Sequence, residues 1–166
     1  MAPTIRLLGE PVLHRRADTV DDVAAPDVQA LIDDLLTSMR TAAHSVGLAA
    51  PQIGVGMRVA VVDVSGHAKA RSCHGELVLV NPDVVLAEEP VVGREGCMSV
   101  PDLTGEVARA NRLVVRALDR LGHVQVIEAD QFEARALQHE LDHLDGALFL
   151  DRVAGAHAIF PRRTYL

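Results

Sequence analysis

The sequence predicts an α+β fold, with mixed or antiparallel β-sheets packed around a central C-terminal helix and a second helix near the N-terminus. Three observations predict it: a helical apolar pattern from 27 to 44, several β-rich runs in the middle, and a second helical pattern from 130 to 144. A helix, then strands, then a helix is typical of the α+β class. The 166 residues are expected to form one domain over 1–166, with a short tail from about 152 to 166.

The first helix is predicted from about Asp27 to His44, because apolar residues recur there at three- and four-residue spacing and so share one face. These residues are Val28, Leu31, Ile32, Leu35, Leu36, Met39 and Ala43. An apolar-rich loop from 46 to 54 is expected to follow.

Five β-rich runs predict the strands. They cover 58–64, 77–80, 84–86, 112–118 and 124–128. Asn81-Pro82-Asp83 is expected to break the sheet between the second and third runs. Residues 119–123 are expected to turn a hairpin between the last two.

The second helix is expected to begin near Asp130, which as N-cap would form a capping box with Glu133. From there to about Leu144, apolar residues follow helical spacing. They are Phe132, Ala136, Leu137, Leu141 and Leu144. This is the helix that we place at the centre of the fold.

Composition excludes several classes of partner. The chain has 16 Lys+Arg against 23 Asp+Glu, a formal net charge of −7, a single lysine, and 2% aromatic residues with no Trp. Such a chain is poorly suited to a nucleic-acid site, because phosphates attract cations and bases stack on rings. No apolar run reaches the ~18–20 residues of a membrane span, and no signal or transit peptide is recognised, so we expect a cytoplasmic protein with no membrane partner.

The strongest chemical signal is His139-Glu140-Leu141-Asp142-His143 in the second predicted helix. Histidines four residues apart lie on one helical face, so both imidazoles can bind one metal ion. Glu140 between them can act as a general base beside the ion. The competing interpretation is a solvated helix with incidental histidines.

A catalytic metal site needs a third protein ligand. Two arrangements known from zinc proteases fail here, because position 149 is Phe where one class has His, and no Glu follows His143 as the other class requires. An upstream ligand is therefore expected, and Cys97 is the best candidate. Two imidazoles and a thiolate suit Zn(II) or Fe(II). The alternative for Cys97 is a buried small apolar residue, which is what we expect of Cys73.

Three segments together resemble one family, peptide deformylase. They are Gly47-Leu-Ala-Ala-Pro-Gln52-Ile-Gly54, Glu95-Gly-Cys-Met-Ser99 and Gln138-His-Glu-Leu-Asp-His143, in this order. The resemblance extends from about Arg6 to Arg152. It departs at Met98, where the family more often has Leu, and at Ser45, where it usually has Gly. The conformation of the loop at Ser45 therefore does not follow from the resemblance.

The resemblance implies removal of the formyl group from the formyl-methionine that begins new polypeptides, with release of formate. It implies one divalent metal ion per chain, with Fe(II) favoured and Zn(II) possible, held by Cys97, His139 and His143. Glu140 would take a proton from the attacking water and pass it to the departing amine.

The resemblance also implies how the developing oxyanion is stabilised. Gln52 would donate through its side-chain amide and Met98 through its backbone N–H, while Gly47 would present a backbone group to the substrate. Glu95 is expected to orient the site through Arg109; the alternative for Glu95 is a surface carboxylate.

A substrate methionine needs an apolar pocket, and Val46, Phe132 and Ala136 are candidates because they flank the motifs. Arg135 is expected to line the rim with its stem and to keep its charge in water. The expected partners are formyl-methionyl nascent peptides. Only about fifteen residues follow Asp151, so the long basic C-terminal helix of many family members is not expected, and ribosome encounter would be transient. We expect a monomer or weak oligomer.

Two other functions remain open at this point. One is a zinc endopeptidase that shares only the His-Glu-x-x-His helix, which would tolerate the loss of Cys97. The other is an inactive relative that binds peptide N-termini without turnover. The presence of Glu140 argues against it, because a purely structural site needs no base.

Overall fold

The computed structural model describes residues 2–163, which form two α-helices and six β-strands joined by loops and short 3₁₀ helices. The helices are α1 (Pro26–Thr41) and α2 (Gln131–Leu144). The strands are β1 (Gly47–Ala49), β2 (Val59–Val62), β3 (Leu77–Cys97), β4 (Val100–Leu118), β5 (Val124–Asp130) and β6 (Ile159–Pro161). Every ladder between them is antiparallel, in the order β1-β2-β3-β4-β5 with β6 on β4. The predicted α+β class is confirmed. No helix among the described residues has the length and apolar character needed to cross a membrane.

Helix α1 packs its apolar stripe against β1 and β2. Six of its seven predicted apolar positions are buried, but Ala43 is exposed because the helix ends at Thr41. The Thr41 hydroxyl donates back to the carbonyl of Thr37 at 2.9 Å. His44 then takes a φ of 62°, as the chain turns towards β1. The predicted extension of this helix to His44 is therefore wrong.

Strands β3 and β4 form a long hairpin that the sequence predicted only in part. The predicted break at 81–83 is a register shift within β3, where Asn81 has a φ of 50° and its side-chain amide bonds both the N–H and the carbonyl of Val20. From 83 to 94 the side chains of β3 are almost all exposed. A strand exposed on both faces lacks the alternation of apolar and polar residues from which strands are read.

The sheet closes on α2, which packs on β1, β2, β4 and β5 and buries Leu137 and Leu141. The predicted hairpin at 119–123 is confirmed, since the N–H of Asp119 donates to the carbonyl of His123 at 2.9 Å. This packing holds α2 beside the end of β3, where Cys97 lies.

Asp130 lies at the N-cap of α2, but the predicted capping box is wrong. Its carboxylate accepts from the N–H of Ser72 at 3.0 Å and makes no side-chain cap. Glu133 is fully buried and accepts from the Ser72 hydroxyl and the His74 N–H, both at 2.8 Å. Both acids hold the loop at 72–74 against the helix instead of capping it.

Cys73 lies in this surface loop and is exposed, so the prediction of a buried packing residue is wrong. The backbone N–H groups of Ser72 and His74, on either side of Cys73, donate to Asp130 and Glu133. The thiol faces outwards, and Ser65 Oγ lies 3.5 Å from its sulfur.

The tail is ordered in its described part. Strand β6 pairs with residues 103–105 of β4, and the N–H of Arg162 donates to the carbonyl of Asp102 at 2.9 Å. Residues 164–166 of the predicted tail lie outside the described residues.

Candidate metal centre

The end of β3 and one face of α2 bring three ligating side chains together. Cys97 is the last residue of β3, and His139 and His143 lie one turn apart on α2. One donor atom from each lies within 4.8 Å of the other two. The Cys97 sulfur is 3.3 Å from Nε2 of His143. The structure thus juxtaposes the three residues that the sequence singled out as ligands.

This donor set fits a divalent transition metal. Zinc bonds of about 2.3 Å to sulfur and 2.0–2.1 Å to nitrogen in tetrahedral geometry would separate the two donors by about 3.5 Å. The observed Cys97–His143 separation of 3.3 Å is close to that value. A soft sulfur with two imidazoles suits Zn(II) and Fe(II) alike.

Glu95 orients one of these ligands. His139 donates from Nδ1 to Glu95 Oε1 at 2.8 Å, which leaves Nε2 available to a metal ion. Arg109 donates to both oxygens of the same carboxylate, at 2.8 and 3.0 Å. The predicted Glu95–Arg109 pair is therefore confirmed, and Glu95 is buried rather than a surface carboxylate.

Arg135 is the third partner of Glu95. Its Nη1 donates to Glu95 Oε2 at 2.8 Å and to the carbonyl of Val107 at 2.9 Å. The side chain is 15% exposed, so the prediction that its charge reaches water is wrong. Its partners lie on the hairpin of β3 and β4, most of which the sequence did not predict.

Asp142 extends the same charged network behind the helix. It accepts from Arg109 at 2.6 Å and from Arg152 at 2.8 Å. Asp142 lies between the two histidines of the α2 motif, but no role was predicted for it because its partners come from distant segments of the chain. These ion pairs connect β3, β4, α2 and the segment after α2 behind the ligands.

The electrostatics of the cluster favour a cation. Burial would raise the pKa of Glu95, but the hydrogen bonds from His139 and Arg109 outweigh burial and lower that pKa to about 2. Burial would likewise lower the pKa of His139, but its contacts with Cys97 and Glu95 raise it well above the ordinary value. Burial lowers the pKa of His143, which keeps that ring neutral. Metal ligands bind in their deprotonated form, so metal binding at this cluster would depend on pH and release a proton.

Glu140 faces β1 from the helix. Its Oε2 is buried and has no hydrogen-bond partner within residues 2–163. Burial raises the pKa of this carboxyl to about 7. A Cβ added to Gly47 would lie only 2.6 Å from Glu140 Oε1. A side chain at position 47 would therefore have to displace the Glu140 carboxylate.

Gln52 is held in one orientation. Its Oε1 accepts from the N–H of Ala49 at 3.0 Å, so its amino group points the other way, 3.5 Å from Cys97 Sγ and 3.3 Å from Ser99 Oγ. Ser99 is fully buried and was not singled out from the sequence, although it closes the second motif. The result is a neutral donor fixed beside the ligand sulfur.

A cleft of about 340 Å³ opens beside these groups. Its lining includes the three predicted pocket residues, Val46, Phe132 and Ala136, together with Met98, whose side chain also packs against the core. Ser45 borders it and donates from Oγ to the carbonyl of Gly47 at 3.2 Å. The loop accepts Ser45 because the positive φ beside it falls on His44.

Two arginines that the sequence did not single out also line this cleft, Arg94 on β3 and Arg162 after β6. Arg162 could not be anticipated, because its position depends on how the tail pairs with β4.

Known proteins share this fold and these segments. A family model described as polypeptide deformylase matches residues 2–158. The peptide deformylase of Heliobacterium modesticaldum is 47% identical over 146 residues, which cover 88% of this chain and 90% of that protein.

Two solved structures are similar over most of their length. The Met-Ala-Ser-bound class I type b peptide deformylase from Acinetobacter baumannii is 32% identical with a TM-score of 0.84, and the match covers 92% of this chain and 99% of that one. The Ehrlichia chaffeensis peptide deformylase in complex with actinonin is 32% identical with a TM-score of 0.85, covering 92% and 89%. Sequence and fold agree over nearly the whole chain, which therefore belongs to the polypeptide deformylase family.

Proposed function

We propose that this chain removes the N-formyl group from the N-terminal formyl-methionine of newly synthesised polypeptides and releases formate. The observation that carries the proposal is the meeting of the Cys97, His139 and His143 cluster with Glu140 and Gln52 at one apolar-lined cleft. Membership of the deformylase family supports it, as does a similar structure with bound Met-Ala-Ser, a peptide that begins with methionine.

Cys97, His139 and His143 would hold one divalent ion, which when bound supplies Lewis-acid activation of water at neutral pH. We propose Fe(II) as the native metal, in line with the family resemblance, with Zn(II) accepted by the same donors. Glu95 fixes the tautomer of His139 by accepting its Nδ1 proton at 2.8 Å.

Glu140 would move the proton of the reaction. Hydrolysis adds a water oxygen to the formyl carbon, breaks the C–N bond and delivers a proton to the amine nitrogen. The unpartnered Oε2 of Glu140 is free to take that proton from water and then give it to nitrogen. A pKa of about 7 suits both directions at neutral pH.

Gln52 and Met98 would stabilise the carbonyl oxygen as it becomes anionic. The amino group of Gln52 is fixed by the bond between its Oε1 and the N–H of Ala49, so little reorganisation is needed during the reaction. Met98 would contribute its backbone N–H from the turn between β3 and β4. Gly47 would offer a backbone group to the peptide from β1.

The methionine side chain of the substrate would occupy the apolar part of the cleft. Val46, Phe132 and Ala136 supply this surface. The ring of Phe132 is stacked on His67, with centroids 3.9 Å apart, and this contact fixes one wall.

The domain organisation, the oligomeric state and the cellular location are also part of the proposal. We propose that residues 1–166 act as one catalytic domain, monomeric or weakly associated, in a bacterial cytoplasm where formylated chains arise. The formal net charge of −7 suits transient encounters with the ribosome rather than a stable electrostatic contact.

The test is anaerobic purification, metal analysis, and a formate assay on formyl-Met-Ala-Ser after loading with Fe(II) or Zn(II). We expect about one metal ion per chain and formate release from the formyl peptide but no reaction with acetyl-Met-Ala-Ser. Mass spectrometry of the products distinguishes a peptidase, which would cut between residues. No formate with either metal contradicts the proposal.

A further inference from the structure

Arg162 is held at the mouth of the cleft by the tail strand. Its N–H donates to the carbonyl of Asp102 at 2.9 Å, and β6 immediately before it pairs with β4. Phe160 of β6 lies under the guanidinium of Arg94, 3.7 Å from the carbon to the ring centre. Two separate contacts thus fix the segment that carries Arg162 beside the metal centre.

The two cleft arginines differ in how far their charge is compensated. Arg94 donates to Thr104 Oγ1 at 3.3 Å and lies 3.6 Å from a carboxylate oxygen of Glu106. Arg162 is exposed and forms no ion pair with any residue in 2–163. Its guanidinium lies against Gly96, where a side chain would collide with it. An uncompensated positive charge therefore lies next to the residue that precedes Cys97.

The rest of the lining offers Arg162 no counter-charge. The acids that line the cleft are Glu95 and Glu140. Glu95 already pairs with Arg109 and Arg135, and Glu140 is buried against Gly47. The whole chain is acidic, so its general field repels an anionic peptide, and Arg162 opposes that repulsion at the cleft.

We propose that Arg162 selects substrates that bear an acidic side chain in the residues just after the formyl-methionine. The inference rests on the proposed function, because it takes the formyl group at the ligand cluster and the methionine in the apolar lining. The following residues then leave through the mouth, past the guanidinium. An exposed ion pair between Arg162 and a substrate carboxylate would change kcat/KM by about two- to fivefold, and the effect would weaken with added salt.

The test compares C-terminally amidated peptides, formyl-Met-Asp-Ala and formyl-Met-Ala-Asp, with their Asn and Lys counterparts. Amidation removes the terminal carboxylate, which a growing chain lacks at this position. For the unaltered protein we expect kcat/KM about two- to fivefold higher for Asp than for Asn in at least one series. In Arg162→Glu, kcat/KM should become higher for the Lys peptides than for the Asn peptides, and the advantage of Asp should be lost. Arg162→Lys keeps the positive charge and should keep the preference for Asp. Arg163→Ala, a neighbour outside the cleft lining, should leave the ratio unchanged.

Equal kcat/KM for Asp and Asn in both series overturns the proposal, as does an Asp preference that survives Arg162→Glu. An equal effect of Arg163→Ala also overturns it, since the charge would then act non-specifically. Failure of the proposed function is a different result, the absence of formate from formyl-Met-Ala-Ser in the unaltered protein.

Discussion

The two sides of the ligand cluster differ in how their polar groups are satisfied. Behind it, Glu95, Arg109 and Asp142 are joined by buried contacts of 2.6–3.0 Å. In front of it, Glu140 keeps an unpartnered oxygen, and Gln52 donates only over 3.3–3.5 Å. The comparison teaches that paired charges hold the ligand His139 from behind, whereas Glu140 in front keeps one oxygen unpartnered and Gln52 makes only longer contacts with its amino group.

The largest expected effect comes from removing the ligand between the two sides. Cys97→Ala should lose the metal ion and bring formate release to background, a greater loss than the 10- to 100-fold typical of changes behind a ligand. Metal analysis measures the first loss, and the formate assay measures the second. An endopeptidase that relied on the two histidines alone would keep its metal and its activity.

Glu140→Gln tests the front of the ligand cluster alone. The amide cannot shuttle a proton, so kcat should fall by about 10²–10⁴. The metal content should stay at the level of the unaltered protein, because Glu140 is not among the three donors. Full activity in this variant would show that another group moves the proton.

Arg109→Ala tests the paired side. It leaves Glu95 and Asp142 buried without their shared cation, and we expect a loss of about 3–5 kcal/mol in unfolding free energy, or roughly 10 °C in Tm. Thermal unfolding of metal-loaded protein measures it.

Arg112→Ala is the matched control on the same strand. Its pair with Glu88 at 3.1 Å is exposed, so the cost should be at most about 1 kcal/mol. Equal costs at positions 109 and 112 would show that burial of the Arg109 pairs adds nothing to the stability of the support behind the ligands.

Gly47→Ala probes the contact between β1 and α2. The added methyl would lie 2.6 Å from Glu140 Oε1 and displace the carboxylate, so kcat should fall by up to about 100-fold. Steady-state kinetics with parallel metal analysis measures this. Unchanged kcat would show that Glu140 tolerates displacement.

The smallest expected effect is that of Ser45→Gly. It removes one hydrogen bond to the carbonyl of Gly47, worth about 1 kcal/mol or less. Tm and kcat/KM should both stay near their original values. A large loss of activity would mean that Ser45 sets the position of β1.

The ligand cluster was predictable because its residues fall in short contiguous motifs. His139 and His143 share a helical face by spacing alone, and the α-helical pattern of 131–144 is strong. Cys97 followed from the ligand count and from the resemblance. The structure places the three together, at the point where β3 meets α2.

The support behind the cluster was not predictable to the same degree. The partners of Arg135 lie on a hairpin whose first strand, β3, is exposed on both faces over most of 83–94, so no strand was predicted there beyond Leu86. Glu133 fits a capping pattern, yet tertiary contacts with Ser72 and His74 take its carboxylate. Arg162 reaches the cleft only through strand pairing of the tail. In each case a long-range contact overrides a local pattern.

The close approach of Gly47 to Glu140 has an evolutionary consequence. Because a Cβ at 47 would displace the Glu140 side chain, a change at one position alters the surroundings of the other. A side chain at 47 would move the group proposed to carry the proton, so glycine is expected at 47 wherever glutamate is kept at 140, although 93 positions separate them. Engineered libraries that randomise β1 should therefore leave position 47 unchanged.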